Sequence, residues 1–333
     1  MRKEWKEKAG GSLAEQRDDL HFSAYEDCRL CPRACGVNRY ERPGFCRASA
    51  RLKAARAALH LWEEPCISGK KGSGAVFFSN CTLRCVFCQN YPISAEGFGR
   101  ELTVRQLGDV FLRLQEEGAA NLNLVTATHY LPEVVAALDL VRPQLRIPVV
   151  YNCGGYERVE TLRALEGYVD IYLPDLKYAD SGLANRCSGA PDYANIVFPA
   201  LREMIRQCGV PGMSVAEIEA GSCSYAKNGL LQRGVIIRHL VLPGQRLDSI
   251  CLLQRLREEL PFGSYLLSLM SQYTPFYRAK ELPGLNRRLT SYEYDSVLRE
   301  AIRLGFDGYL QEKSSAREEY TPPFDLEGLE HLS

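Results

Sequence analysis

Three cysteines, Cys81, Cys85 and Cys88, stand in the stretch Ser79-Asn-Cys-Thr-Leu-Arg-Cys-Val-Phe-Cys-Gln-Asn90, spaced C-x3-C-x2-C. Thiolates this close can hold three irons of a [4Fe–4S] cluster, which takes four ligands when its protein coordination is complete. A tetrahedral zinc site would need a fourth ligand, and neither Cys nor His occurs between Cys88 and His129. The local reading is a cluster with one open iron. Upstream, Gly72-Ser-Gly-Ala-Val-Phe-Phe-Ser79 reads as a Gly-rich turn feeding a short apolar strand. The triad then lies on the loop at a strand's C-terminal end, where α/β barrels place their chemistry.

From residue 75 onward, β-branched runs alternate with helical patterns. Strands are expected at Ala75–Phe78, Leu122–Thr126, Pro148–Tyr151, Asp170–Leu173, Val235–Val241 and Tyr265–Leu269. Between them Val104–Glu117, Leu131–Val141, Arg158–Leu165, Tyr193–Gln207 and Arg246–Glu259 carry apolar residues at three- and four-residue steps, the mark of helices. Strands separated by helices imply right-handed βαβ units and a parallel sheet. The expected fold class is α/β, a partial (β/α)6 TIM-type barrel with an N-terminal Cys-rich extension. A doubly wound sheet has the same element order; the triad after the first strand favours the barrel. Polar residues just past the strands would converge on one mouth: Asn80 with the triad; Thr126, Thr128 and His129; Asn152; Asp175 and Lys177; Arg238 and His239; Ser271, Gln272 and Tyr273.

A second set, Cys28-x2-Cys31-x3-Cys35-x10-Cys46, precedes the barrel among Pro and Gly turns. Four thiolates can close around zinc as a structural knob or around an iron–sulfur cluster; spacing does not separate the two. Cys66 is a further or replacement ligand candidate, while Cys153, Cys187, Cys208, Cys223 and Cys251 are scattered and read as small buried hydrophobes. The chain has 13 cysteines, and Met1-Arg-Lys-Glu-Trp-Lys6 offers no apolar signal region. Metal ligands in a reducing cytoplasm are therefore expected rather than disulfides. Lys+Arg and Asp+Glu balance at 41 each, so net charge gives no case for nucleic acid or an anionic membrane. No apolar run reaches the roughly 18 residues of a membrane span.

Taken together, the blocks Cys28–Cys46, Trp62–Gly69, Gly72–Asn90, Ala127–Tyr130, Val149–Tyr156, Asp170–Lys177, Gly234–Gly244 and Ser268–Tyr273, with Phe87 just before the last triad cysteine, resemble the radical SAM superfamily. Within it they are similar to the pyruvate formate-lyase activating enzyme branch, in a subgroup with a Cys-rich N-terminus. The resemblance implies that the amino and carboxylate groups of S-adenosylmethionine (SAM) chelate the open iron. One electron then cleaves the sulfonium to a 5′-deoxyadenosyl radical, which takes hydrogen from a substrate. It maps the SAM amino contact to Thr126–His129, where the family often has Gly-Gly-Glu and this chain has Ala127-Thr128-His129. It maps the methionyl carboxylate contact to Asp175-Leu-Lys177, and ribose and carboxylate contacts to Arg238 and His239. Asn152, at the third strand's end, joins this SAM-binding set. Implied partners are SAM, an electron donor such as flavodoxin or ferredoxin, and a hydrogen donor that is either a small molecule or a protein such as a glycyl radical enzyme.

Three domains are expected: a metal-binding extension over 1–65, the barrel core over 66–312 and a tail over 313–333. The competing functions are an iron–sulfur electron carrier and a zinc-stabilised binding protein. Neither needs a barrel mouth lined with Asp, Lys, His and Asn.

Overall fold

The computed structural model describes residues 21–208, 229–306, 308–310, 322–330 and 332. Among the described residues, nine strands form one open sheet: β1 (Lys53–His60), β2 (Ser73–Phe78), β3 (Arg100–Glu101), β4 (Leu122–Val125), β5 (Val149–Cys153), β6 (Ile171–Pro174), β7 (Gly234–Leu240), β8 (Leu266–Met270) and β9 (Gly308–Leu310), in spatial order β3-β1-β2-β4-β5-β6-β7-β8-β9. From β2 through β9 every pairing is parallel, while β1 runs antiparallel to β2 and β3. All six expected strands are present, with helices between them, so the α/β partial-barrel class holds. Strands β2, β4, β5, β6 and β8 are buried along their whole length. That is why they read as continuous apolar runs rather than alternating ones.

The helix Val104–Glu116 buries Val104, Leu107, Val110, Phe111 and Leu114 on one face. It starts at a capping box in which the Thr103 hydroxyl accepts from the Gln106 N–H and the Gln106 side chain accepts from the Thr103 N–H. Thr290 and Glu293 cap the helix Ser291–Arg303 in the same way.

Strand β1 lies inside the stretch assigned to the extension, and it belongs to the main sheet. Residues 322–330 are also built into the fold. Leu326 N–H donates to Ala55 O (3.1 Å) and Ala57 N–H to Glu327 O (2.9 Å), Arg56 pairs with Asp325 and Glu327, and Phe324 packs edge-on against Phe77. Gly328 sits at φ +75°, and a Cβ there would strike Ala57 O, so only glycine permits this close approach.

The Cys-rich block docks on the barrel through buried polar side chains. Arg39, 1% exposed, lies over the Tyr25 ring and donates to the carbonyls of Ala48, Ser49 and His129. The Tyr25 hydroxyl donates to Glu133, and Thr161 donates to Leu30 O (2.8 Å). Among the scattered cysteines, Cys153, Cys187 and Cys208 are buried as expected. Cys251 is exposed, because the helix Arg246–Glu259 buries Ser249, Leu252, Leu253 and Leu256 and turns 251 outward. Cys223 lies outside the described residues. Cys66 packs with Ile67, Val150, Ile171, Leu173 and Ile236 in an apolar cluster.

Four buried groups contribute strongly to the pH response of this fold. Burial pushes Glu133 and Glu157 up to about 8, against hydrogen bonds from Tyr25 and from Thr128 and Tyr151. Burial also brings His129 down to about 3 and His239 to about 4. The histidines therefore contribute stability above the ordinary value of 6.5 that is lost as pH falls towards 4. The glutamates contribute stability below 4.5 that is lost as pH rises towards 8. Between those ordinary values the two effects oppose each other; above 6.5 only the glutamates act. Urea midpoints of the chain should thus fall between pH 6.5 and 8. The total is up to about 4 kcal/mol, from two groups at about 1.4 kcal/mol per pH unit. A midpoint at pH 8 equal to or above that at pH 6.5 would mean the glutamates are ionised inside the fold.

Candidate functional site

The triad loop follows β2. Asn80 and Arg84 take left-handed φ of 74° and 52°, bending the chain back so that Asn80 N–H donates to Ile93 O (2.7 Å). Each sulfur meets a donor. Leu83 N–H donates to Cys81 Sγ (3.4 Å), Ser188 Oγ–H to Cys85 Sγ (3.0 Å) and Ser94 Oγ–H to Cys88 Sγ (3.3 Å). Donors aimed at sulfur suit thiolate ligands of a cluster, whose charge they stabilise. Burial pushes the free thiols up, Cys81 to about 12 and Cys88 to about 11, so binding a cationic centre here would release their protons. Among the described residues, no three His, Cys, Asp or Glu side chains close on a point that would hold a single ion. A four-iron cube offers three separate iron corners and asks for no such convergence. Phe87 fills the space between Tyr178 and Tyr273 beside the loop.

All three triad cysteines line one cavity of about 230 Å³, together with Thr126, Asn152, Asp175, Lys177 and Arg238. Its walls come from β2, β4, β5, β7 and β8, the loops beyond them and the loop after β6, so the sheet wraps around it. Inside is a chain of charges. Arg238 donates to Asp175 Oδ1 (2.9 Å) and Asn152 Oδ1 (2.7 Å), and Lys177 Nζ donates to Asp175 Oδ2 (2.6 Å). Burial opposes ionisation of Asp175, but Arg238 and Lys177 outweigh it and hold the carboxyl below its usual range. Lys177 is likewise opposed by burial and held above its usual range by Asp175 and the Cys85 sulfur, which places it within electrostatic reach of the triad. Thr126 adopts φ +62°, a conformation that costs a β-branched residue about 1–3 kcal/mol and clusters at functional sites.

Thr128, His129 and His239 were expected at this mouth and do not line the cavity. Thr128 donates to Glu157 (2.7 Å) and accepts from the Tyr151 hydroxyl (3.0 Å) in the core. His129 Nε2–H donates to Ser79 O (2.7 Å) and His239 Nδ1–H to Leu176 O (2.6 Å). The reason at β7 is alternation. Arg238 faces the cavity, so its neighbour must face the other way. After β4, the 3₁₀ turn Thr128–Tyr130 rolls its side chains into the packing.

Glu63 is a cavity residue to which sequence reasoning gave no role. Its carboxylate accepts from Asn123 Nδ2 (2.9 Å) and Asn152 Nδ2 (3.4 Å) and pairs with Arg238 at 3.6 Å. Its neighbour Glu64 accepts from Ser268 (3.0 Å) and is raised by burial. Both lie just past the end of β1, a strand the residue pattern did not suggest, and only the Trp62–Gly69 block hinted at them.

Residues 75–217 match the family model described as the radical SAM superfamily. An uncharacterized protein of Methanocaldococcus jannaschii is 28% identical over 309 residues, covering 89% of this chain and 80% of its own length. A radical SAM methyltransferase from Sphaerobacter thermophilus aligns at 13% identity and a TM-score of 0.44, over 69% of this chain and 63% of that one. A domain of a pyruvate-formate lyase-activating enzyme from Bacteroides vulgatus aligns at 11% identity and a TM-score of 0.34, over 63% of this chain and 91% of that one. No helix among the described residues is long and apolar enough to cross a membrane.

Proposed function

We propose that this chain works as a radical SAM enzyme core in which Cys81, Cys85 and Cys88 hold a [4Fe–4S] cluster and the adjoining cavity holds SAM. The observation that supports this is the meeting of three sulfurs and one buried charge network on the same cavity wall. When bound, the cluster and SAM together supply a 5′-deoxyadenosyl radical for hydrogen abstraction. The protein's part is binding and exclusion. Lys177 and Arg238 offer fixed cations to the methionyl carboxylate, and Asn152 and Thr126 offer polar groups to the amine and ribose. Asp175 and Glu63 hold those cations in place, and Leu83, Phe87 and Met270 keep water out. An electron carrier has no use for such a cavity.

The hydrogen donor is either a glycine of a large partner enzyme, as the activating-enzyme resemblance suggests, or a small molecule. The electron is supplied by a flavodoxin- or ferredoxin-type donor. Anaerobic reconstitution, addition of SAM and a reductant, and mass spectrometry for 5′-deoxyadenosine test the reading; a reconstituted chain whose spectrum ignores SAM would sink it.

Cys28, Cys31, Cys35 and Cys46 hold a second metal centre, an iron–sulfur cluster or zinc, and a zinc ion would have to draw the thiols together, since no three such side chains among the described residues close on a single point. Its support is the mutual electrostatic reach of Cys31, Cys46 and Cys28, and of Cys46 and Cys35. The triple variant Cys81→Ala/Cys85→Ala/Cys88→Ala should retain bound iron or zinc by metal analysis. Its colour separates the two metals: brown for iron–sulfur, none for zinc. A metal-free triple variant removes the second site.

A further inference from the structure

Cys85 is set apart within the triad by two buried hydroxyls that meet at its sulfur, where Cys88 has one. Ser188 Oγ stands 3.0 Å from Cys85 Sγ and 2.7 Å from the Tyr178 hydroxyl, which itself lies 3.8 Å from the sulfur. Ser188 has one proton and a ligating thiolate accepts only. The Ser188 O–H therefore points at sulfur, and Tyr178 donates to Ser188. Tyr178 is fully buried and Ser188 is 4% exposed, so no bulk water competes for these bonds. Ser188 ends the helix Ser181–Ser188, capped by Gly189 in the left-handed region. Its backbone is gripped from the Cys-rich block: Arg33, between Cys31 and Cys35, donates to Ser188 O (2.7 Å), to Gly189 O and to Thr82 O (3.1 Å) within the triad loop. Phe45, beside Cys46, lies 3.8 Å under the Arg33 guanidinium. From the triad loop, Arg84 donates back to Phe45 O (3.2 Å).

We propose that the Tyr178–Ser188 hydroxyl pair, clamped by Arg33, donates to the Cys85 sulfur and raises the reduction potential of the triad's cluster, so that the Cys-rich block helps set that potential. The inference rests on the proposed function in taking Cys85 as a cluster ligand. A one-electron reductant adds negative charge that spreads onto the sulfurs. A donor at sulfur stabilises the reduced form more than the oxidised one, and cooperative hydroxyl chains strengthen the effect. Arg33, Tyr178 and Ser188 are positioning residues: they touch the ligand, not SAM.

The test uses the full chain, reconstituted anaerobically with iron and sulfide and titrated with dithionite without SAM, its midpoint followed by electron paramagnetic resonance. Ser188→Ala should move the midpoint negative by about tenfold in the one-electron equilibrium, roughly 59 mV. Ser188→Thr, which restores a hydroxyl, should return it towards wild type. Tyr178→Phe and Arg33→Ala should move it the same way by less. A wild-type midpoint in Ser188→Ala at full iron content overturns the proposal. If Ser188→Ala holds no iron, Tyr178→Phe decides, and an unmoved midpoint there overturns it equally. Full iron retention in Cys85→Ala is a separate failure, because it removes Cys85 from the cluster and takes the parent reading with it.

Discussion

Replacing any one of Cys81, Cys85 and Cys88 by alanine should abolish formation of 5′-deoxyadenosine and every spectral response to SAM, while the chain still folds. The size of the effect follows from ligand count. With three thiolates, the cluster keeps one iron free for SAM; with two, it has lost a corner of its anchorage. The fold should survive because Cys81 and Cys88 are only partly buried and lie on a loop outside the sheet. Alanine at Cys85 leaves the Ser188 hydroxyl without its sulfur acceptor, at a cost of about 1–3 kcal/mol. Cys208→Ala is the contrast. That thiol, at the end of the helix Tyr193–Cys208, is buried away from the cavity and donates to Val169 O (3.3 Å), so its loss should lower stability and leave SAM chemistry in place. Turnover in a triad variant comparable to wild type would place the cluster elsewhere in the chain.

Much of this architecture could be read from residue patterns because the parallel strands are buried on both faces. Leu122–Val125 and Ile171–Pro174 are short, mostly apolar runs between helical stretches, and their length suits buried strands. Strand β1 escaped because its sequence is Lys-Ala-Ala-Arg-Ala-Ala-Leu-His. Alanine is a poor strand former, and the strand is fixed by pairing with β2 and by the docked 322–330 segment, both remote in sequence. Strand β9 is three residues long, too short to carry a period. At the site, the strand ends were legible but the facing of each side chain was not. Arg238 and His239 are equally polar, and which one enters the cavity depends on the register of β7 against β8, where Arg238 opposes Ser268 and His239 opposes Leu269. Glu63 was hidden for another reason: its role exists only once the segment before β2 meets Asn123 and Arg238.

That difference in facing gives the second large effect. Asp175→Ala should weaken SAM binding by at least about tenfold, or 1.4 kcal/mol, and should also destabilise the chain. Asp175 is the carboxylate shared by Arg238 and Lys177. Without it Arg238 retains Asn152 and the longer 3.6 Å pair with Glu63, and Lys177 loses its ion-pair partner. Removing one member of a buried ion pair costs about 3–5 kcal/mol, because a charge is left uncompensated. Asp175→Asn keeps the shape and one acceptor, so it should fall between wild type and alanine. Lys177→Ala should lower affinity for SAM with a smaller loss of stability, since Asp175 keeps Arg238. His239→Ala, on the far face of the same strand, should do the opposite: it empties a packed site and leaves the Leu176 carbonyl without its donor, yet SAM affinity stays near wild type. Anaerobic equilibrium dialysis with SAM and urea unfolding of the same four variants separate the two axes. If His239→Ala lowers affinity as much as Asp175→Ala, SAM is not held by the charge network of this cavity.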